Sequence, residues 1–381
     1  MRHPSRPSGR TRRAFSIAEL VCALAVVSVL LAIVLPALGR TAKSSMLATS
    51  IGNLMDLGAA HALYANEWNG RQVQLVAGDI STYGDSSAEA FQNYNQANDP
   101  NHPPVGLGWG GLEPIGRLVY YAFHVGNNDA SNGVAIPLRF QGNTGRYFGS
   151  FRIPNAKPFH DYVGGRFYDP TFYAPADRPV WERLETNGCF ENPDEFADCV
   201  PPEPGVGHVP AWSSYCLSPA ALYHPDVMRH PADGGWQDPW SLDHAFETPG
   251  LLQARYPALK TLMLEHQWVQ NAPKDPCNPN SAGSAFGGLC EPYYFNHSLD
   301  SAPATLFYDL SVRLLPNGEA KAADQQVQKQ GGLGLWSRDT PFGPFGYLIE
   351  FGFDASPVSH HVLTTDGILG RDTTSGARAR R

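Results

Sequence analysis

The stretch AFSIAELVCALAVVSVLLAIVLPAL, residues 14–38, decides how this chain of 381 residues is organised. Residues 17–35 are all apolar or small, with Glu19 as the one exception. At about 1.5 Å per residue, a helix of nineteen residues spans roughly the ~30 Å hydrocarbon core of a bilayer. The sequence therefore predicts a membrane-spanning helix that carries a carboxylate in its first turn.

Glu19 is an unfavourable residue for such a helix. Insertion of a charged side chain at the centre of a spanning helix costs about 2.5–3.5 kcal/mol, so acidic residues there normally have a partner or a function. No basic residue lies within a helical turn of Glu19. One candidate partner is the α-amino group that cleavage after Ala14 would create at Phe15 of a neighbouring copy.

The segment RRAFSIAEL resembles the processing signal of type IV prepilins and type II secretion pseudopilins. In that signal a basic leader and a small residue precede the bond that prepilin peptidase cuts, Phe is the first mature residue and Glu the fifth. Counted from Phe15, Glu19 is fifth, and Pro36 is twenty-second, where many pilins have a helix-kinking proline. Ala14 departs from the family pattern, which usually has Gly before the cut.

The resemblance implies cleavage between Ala14 and Phe15, N-methylation of Phe15, subunit assembly through Glu19 and a helix kink at Pro36. It also implies a pilin-like α+β fold, in which a long N-terminal helix packs on a loop-rich antiparallel sheet. Two other interpretations of the segment are an ordinary secretory signal, with Ala-Leu-Gly at residues 37–39 as its cleavage site, and an uncleaved signal anchor.

Charge and composition restrict the compartment and the partners. The chain has a net charge of −8; its leader, residues 1–14, carries five arginines and no acid, so the remainder carries about −13. Such an acidic chain is not expected to bind nucleic acid. The positive-inside rule places the leader in the cytoplasm. The sequence therefore predicts a single-pass protein of the inner (cytoplasmic) membrane with most of its residues outside the cytoplasm.

Beyond Pro36 the pattern becomes amphipathic, and apolar or aromatic residues recur at steps of three and four. This face consists of Leu47, Ile51, Leu54, Leu57, His61, Tyr64 and Trp68. The spacing predicts one nearly continuous helix over about 16–68, with His61 packed on its buried face. We expect a leader at 1–14, a transmembrane helix at 15–36, its amphipathic continuation at 37–69, a globular extracytoplasmic domain at 70–370 and a disordered basic tail at 371–381.

The globular region is rich in turns, since Gly and Pro make up about a fifth of the chain against a usual ~12%. Strands or short helices are predicted at 117–125, 165–174 and 260–266, and a hairpin with strands at 304–308 and 312–315. The hairpin resembles the H-x9-D-G element of many bacterial pseudopilin-like proteins, with His297 and Asp309 at the matching positions. Eleven residues separate them, and Leu310 replaces the Gly, which predicts a turn other than type I′.

Five of the six cysteines follow the apolar helix, in what would be an oxidising compartment. Proximity suggests disulfides between Cys189 and Cys199 and between Cys277 and Cys290, although connectivity does not follow from sequence and the thiols could all be free. Residues 127–133, NNDASNG, alternate oxygen ligands as calcium loops do but lack the Gly and Glu of an EF-hand. Some major pseudopilins hold calcium near the C-terminus, so the resemblance implies a bound Ca²⁺, and otherwise no cofactor is expected.

The sequence contains no G-x-S-x-G, H-E-x-x-H or Walker motif. The resemblance to prepilins implies a structural subunit of a pilus or type II secretion pseudopilus, and we do not expect an enzyme. Its partners would be prepilin peptidase, the membrane and other pilin-like subunits. The alternative is an extracytoplasmic binding protein or adhesin that uses a pilin-like anchor, and a third possibility is a membrane-tethered hydrolase.

Overall fold

The computed structural model describes residues 17–73, 80–86, 89–90, 93, 136–140, 149–191, 213–265, 301–344 and 360–374. The chain forms two compact units, Met1–Met46 and Leu47–Arg381. Helix α1, Ile17–Glu67, begins in the first unit and ends in the second. This confirms the predicted helix over 16–68, and its bounds differ from the prediction by one residue at each end.

The second half of α1 packs into the core of the globular unit. Its buried residues are Ser50, Leu54, Leu57, Gly58, Ala60, His61, Tyr64 and Ala65. Four of the seven residues of the predicted face are in this set, while Leu47 and Ile51 pack against the core partly buried and Trp68 is 36% exposed. At Gly58 an added Cβ would lie 3.1 Å from Leu306 Cδ1, so this glycine lets the helix approach the sheet closely.

The sheet has four short antiparallel strands in the order β1-β2-β3-β4. They are β1 Tyr215–Leu217, β2 Thr261–Glu265, β3 Ala304–Phe307 and β4 Val312–Leu314. All five residues of β2 are buried, as expected of a central strand, whereas the edge strand β4 is partly exposed. The predicted strand at 260–266 and the predicted hairpin are confirmed, and the α+β class with a long N-terminal helix is correct.

Much of the remaining described chain consists of short helical turns. The α-helices are α2 Lys157–His160, α3 Arg178–Thr186 and α4 Asn317–Lys329. Several 3₁₀ turns begin with proline: Pro170–Phe172, Pro219–Ala221, Pro225–Val227, Pro231–Asp233 and Pro239–Ser241. Proline suits the first position of such a turn, because its ring presets the helical φ and no hydrogen bond of the turn requires an N–H there. Within 165–174 only Pro170–Phe172 is helical and no residue lies in a strand, and 117–125 lies outside the described residues.

Glu265 joins α1 to the sheet through hydrogen bonds. Ser50 on α1 donates from Oγ to Glu265 Oε1 at 2.6 Å and lies 2.8 Å from the Tyr215 hydroxyl on β1. The backbone N–H of Ala304 on β3 donates to Glu265 Oε2 at 2.8 Å. Since a buried carboxylate must be hydrogen-bonded, this set of contacts fixes the position of the helix over the first three strands.

Lys260, immediately before β2, forms a fully buried ion pair with Asp372. Its Nζ lies 3.0 Å from Asp372 Oδ2 and donates to Ser218 Oγ at 2.8 Å and Thr364 Oγ1 at 2.7 Å. Asp372 also accepts the Thr261 N–H at 2.8 Å. Because both charges have no contact with water, each depends on these partners.

The prediction of a disordered tail over 371–381 is wrong for residues 371–374. Asp372 and Thr373 are buried, and Asp372 N–H donates to the Leu259 carbonyl at 2.9 Å. The apolar-poor composition suggested disorder, but the buried lysine supplies a partner for the carboxylate that composition alone does not show. Residues 375–381 lie outside the described part of the chain.

We predict that Asp372→Ala lowers the free energy of unfolding by about 3–5 kcal/mol, because it leaves the Lys260 ammonium buried and unpaired. The double variant Lys260→Met with Asp372→Leu removes both charges and should lose much less. Urea unfolding of the full chain in detergent, followed by tryptophan fluorescence, measures both. Equal losses in the single and the double variant would contradict a mutually dependent pair.

His61 is buried on α1, as its position in the pattern predicts. Its Nε2 accepts the Val73 N–H at 3.3 Å, and its ring lies edge-on to Phe159 with centroids 5.7 Å apart. Burial lowers the pKa of His61 to about 3. The imidazole is therefore a neutral packing group at physiological pH.

A histidine with a depressed pKa stabilises the fold fully above its unfolded pKa of about 6.5, and this contribution is lost as the pH falls towards 3. We expect His61→Gln to reduce the acid dependence of stability by about 1.4 kcal/mol per pH unit below 6.5. Urea unfolding between pH 7 and pH 4 checks this. Part of the slope should persist in the variant, because burial also lowers the pKa of His360, to about 4. A slope equal to that of the wild type would contradict the assignment to His61.

Candidate membrane segment and candidate metal centre

The first half of α1 exposes a continuous apolar surface. The exposed fraction of its large apolar side chains runs from 44% at Val34 to 83% at Ile17. These side chains are Ile17, Leu20, Val21, Leu24, Val26, Val27, Val29, Leu30, Leu31, Ile33, Val34, Leu35 and Leu38. Burying one such side chain is worth about 1.5–3 kcal/mol, so a surface of this size requires an apolar environment or a partner.

By length and composition, α1 is able to cross a membrane. None of the residues in its most apolar window is buried by the rest of the chain. A buried core helix of a soluble protein is therefore a poor description of this half of α1. A signal sequence near the N-terminus would meet the same criteria, so the finding supports a single membrane-spanning segment without fixing the compartment.

Glu19 lies in the first turn of α1. A negative charge there interacts favourably with the helix dipole, by about 0.3–1 kcal/mol. Ala14 and Phe15 lie outside the described residues.

Pro36 lies inside α1, which is helical on both sides of it. Proline has no N–H, so the helix lacks one of its repeating hydrogen bonds at this point. Nearby hydroxyl groups donate to carbonyls one turn earlier, from Ser28 to Leu24 at 2.8 Å and from Thr41 to Ala37 at 3.0 Å. The kink at Pro36 remains a prediction.

Cys189 is disulfide-bonded. Cys22 and Cys216 are free thiols. The pairing with Cys199 and the bridge between Cys277 and Cys290 remain predictions. Residues 127–133 also lie outside the described part, so the calcium loop is likewise untested.

Asp309 has a structural position in the β3–β4 turn. Its Oδ1 accepts the Ser311 N–H at 3.0 Å and the Ser311 hydroxyl at 2.6 Å. Leu310 has a φ of 63°, and Phe307 N–H donates to the Ser311 carbonyl at 2.9 Å. This is the three-residue turn with a left-handed last residue, so the predicted departure from type I′ is confirmed. His297 lies outside the described residues.

Two histidines and one aspartate converge on the surface of the globular unit. One potential ligand atom from each of His224, Asp226 and His244 lies within 4.8 Å of the other two. Asp226 Oδ2 lies 3.6 Å from His224 Nδ1 and 2.8 Å from His244 Nε2. The two imidazole rings meet edge to face with centroids 4.3 Å apart. All three side chains are partly exposed, so solvent reaches the cluster.

Arg229 orients the carboxylate of this cluster. Its Nη2 lies 2.8 Å from Asp226 Oδ2, and its Nε donates to Oδ1 at 3.1 Å. The hydrogen bond from Arg229, together with that of His244, holds the pKa of Asp226 well below its usual range. Partial burial and the neighbouring His244 lower the pKa of His224. The cluster therefore presents an ionised carboxylate beside a neutral imidazole.

Sequence reasoning did not identify this cluster. The triplet His224-Pro225-Asp226 is a local signal, because a 3₁₀ turn places two ligand-type residues close together. His244 comes eighteen residues later, and only the fold brings it to the same place.

A small cavity in the core is lined by Val73, Ser150, Ile153, Phe159 and Leu217, among others, and has a volume of about 10 Å³. That is close to the minimum that holds one water molecule, and far below the ~300–1,000 Å³ of ligand pockets. This cavity is a packing feature of the core.

Comparisons with protein families, with curated proteins and with solved structures find no match for this chain.

Proposed function

We propose that this chain is a pseudopilin-like structural subunit, not an enzyme, which assembles into a pilus or a type II secretion pseudopilus. Prepilin peptidase would cut between Ala14 and Phe15, and Phe15 would then be N-methylated. The mature chain would remain in the cytoplasmic membrane through one helix, with its globular unit outside the cytoplasm. Other pilin-like subunits would be its partners.

The observation that carries the proposal is the division of α1 into two halves. Its first half exposes apolar side chains along more than twenty residues, and its second half packs into the core beneath an antiparallel sheet. A simple signal anchor needs only the first half. A helix that continues without interruption from an apolar segment into a folded domain is the plan that the resemblance at residues 12–20 implies.

Two further features support a location outside the cytoplasm. Cys189 is disulfide-bonded, and structural disulfides are rare in reducing compartments. The leader carries five arginines and no acidic residue, which favours its retention on the cytoplasmic side.

Glu19 would act in assembly. In lipid the hydrophobic effect does not drive helices together, so polar contacts and close packing have to specify how neighbouring helices align. Opposite unit charges 4 Å apart interact by about 4 kcal/mol at an effective dielectric of 20. That is comparable to the cost of placing a carboxylate in the membrane. A pair between Glu19 and the Phe15 amine of the next subunit would therefore fix the axial register of the stalks.

We predict that Glu19→Val leaves processing intact but abolishes copurification of the subunit with pilin-like partner subunits, including a second, differently tagged copy. The variant keeps an apolar helix but removes the carboxylate that would pair with the neighbouring amine. Mild crosslinking in membranes, detergent extraction and affinity capture measure the recovered partners.

Two matched variants make this experiment specific. Glu182→Val removes an exposed carboxylate from α3 in the globular unit and should leave recovery unchanged. Glu19→Asp keeps the charge and should retain part of the assembly. Full recovery with Glu19→Val would contradict the proposed role of Glu19.

A further inference from the structure

We propose that His224, Asp226 and His244 form a binding site for a divalent transition-metal ion of the zinc type. The site lies in the globular unit and goes beyond the proposed assembly function. It rests on the convergence of two imidazole nitrogens and one carboxylate oxygen within 4.8 Å.

The distances fit a common centre. Zinc binds histidine nitrogen at ~2.0–2.1 Å and carboxylate oxygen at ~2.0–2.2 Å, so tetrahedral ligand atoms lie roughly 3.3 Å apart. The separations of Asp226 Oδ2 from His244 Nε2 and His224 Nδ1, 2.8 and 3.6 Å, bracket that value. Small side-chain rotations would place all three atoms around one ion.

Backbone contacts hold two separate segments at the site. His224 precedes the 3₁₀ turn Pro225–Val227, so proline fixes the spacing between His224 and Asp226. The backbone N–H of His224 donates to the Ala245 carbonyl at 3.0 Å, which brings the segment that carries His244 alongside. The ligands are thus positioned by the fold before any ion binds.

An ion would replace the 2.8 Å contacts of Asp226 Oδ2 with His244 Nε2 and Arg229 Nη2, and one backbone hydrogen bond. The Asp226 N–H donates to His224 Nδ1 at 3.3 Å, a long hydrogen bond that coordination through Nδ1 would replace. Arg229 binds both oxygens of Asp226, and its Nε contact to Oδ1 can remain when Oδ2 turns to the ion. Outer contacts of this kind orient metal-binding carboxylates in many sites.

The donor set selects the class of ion. Calcium and magnesium prefer sites made of oxygen ligands, whereas imidazole suits zinc, copper, nickel and iron. Three protein ligands leave at least one coordination position for water or for a group of another molecule. The site is therefore distinct in chemistry from the calcium loop expected at residues 127–133.

The test uses the full-length chain in detergent, purified without a histidine tag, treated with a chelator and titrated with Zn²⁺ or with Co²⁺. The wild type should bind one equivalent that His244→Asn does not bind, and its Co²⁺ complex should show a saturable visible absorption. Because the side chain of His244 is 40% exposed, this substitution should leave the fold intact. Arg229→Gln should keep the stoichiometry but weaken the affinity by roughly tenfold, because Asp226 loses the group that orients its carboxylate.

His230 provides a matched control. It precedes the next 3₁₀ turn, Pro231–Asp233, and its Nδ1 accepts the Ala232 N–H at 3.2 Å, as His224 does in its own turn. It is not a member of the cluster. His230→Asn should therefore bind the ion as the wild type does. Equal uptake by wild type and His244→Asn, or no uptake by the wild type, would overturn the proposal.

Discussion

The structure depends on one constraint, which is that the two halves of a single helix present different surfaces. Over residues 17–38 the large side chains of α1 are apolar and exposed, and over residues 50–65 one face of the same helix is buried in a folded core. The first half requires a non-aqueous surrounding, since its exposed side chains would each forgo on the order of 1.5–3 kcal/mol in water. The second half is stable only with the domain it supports.

Strand β2 connects the parts of the globular unit. At one end Glu265 accepts hydrogen bonds from Ser50 of α1 and from the backbone of β3. At the other end the preceding Lys260 forms a buried ion pair with Asp372 from the end of the described chain. The helix, the sheet and the C-terminal segment are thus fixed to one short strand, and the buried charge of the preceding Lys260 has to be matched by Asp372 for the unit to fold.

Regular patterns allowed part of this fold to be predicted. The 3.6-residue period of α1, the apolar strand before Glu265 and the β3–β4 hairpin all follow from local sequence. The ordered proline turns did not, because proline-rich composition also suits an irregular loop. The order of residues 371–374 depends on Lys260, which is 112 residues away from Asp372, and so no local signal reveals it. For the same reason His224 and His244 could not be joined from sequence, although the His-Pro-Asp triplet was visible. The site residues of the leader junction, Ala14 and Phe15, rest on the resemblance alone.

The central claim is that the chain is processed as a prepilin, and the N-terminus of the membrane-extracted protein tests it most directly. N-terminal sequencing combined with intact-mass measurement should give a chain that begins at Phe15 and carries one additional methyl group. A chain that begins at Arg40, or one that retains the arginine-rich leader, would contradict the account. The first result would indicate an ordinary secretory signal and the second an uncleaved anchor.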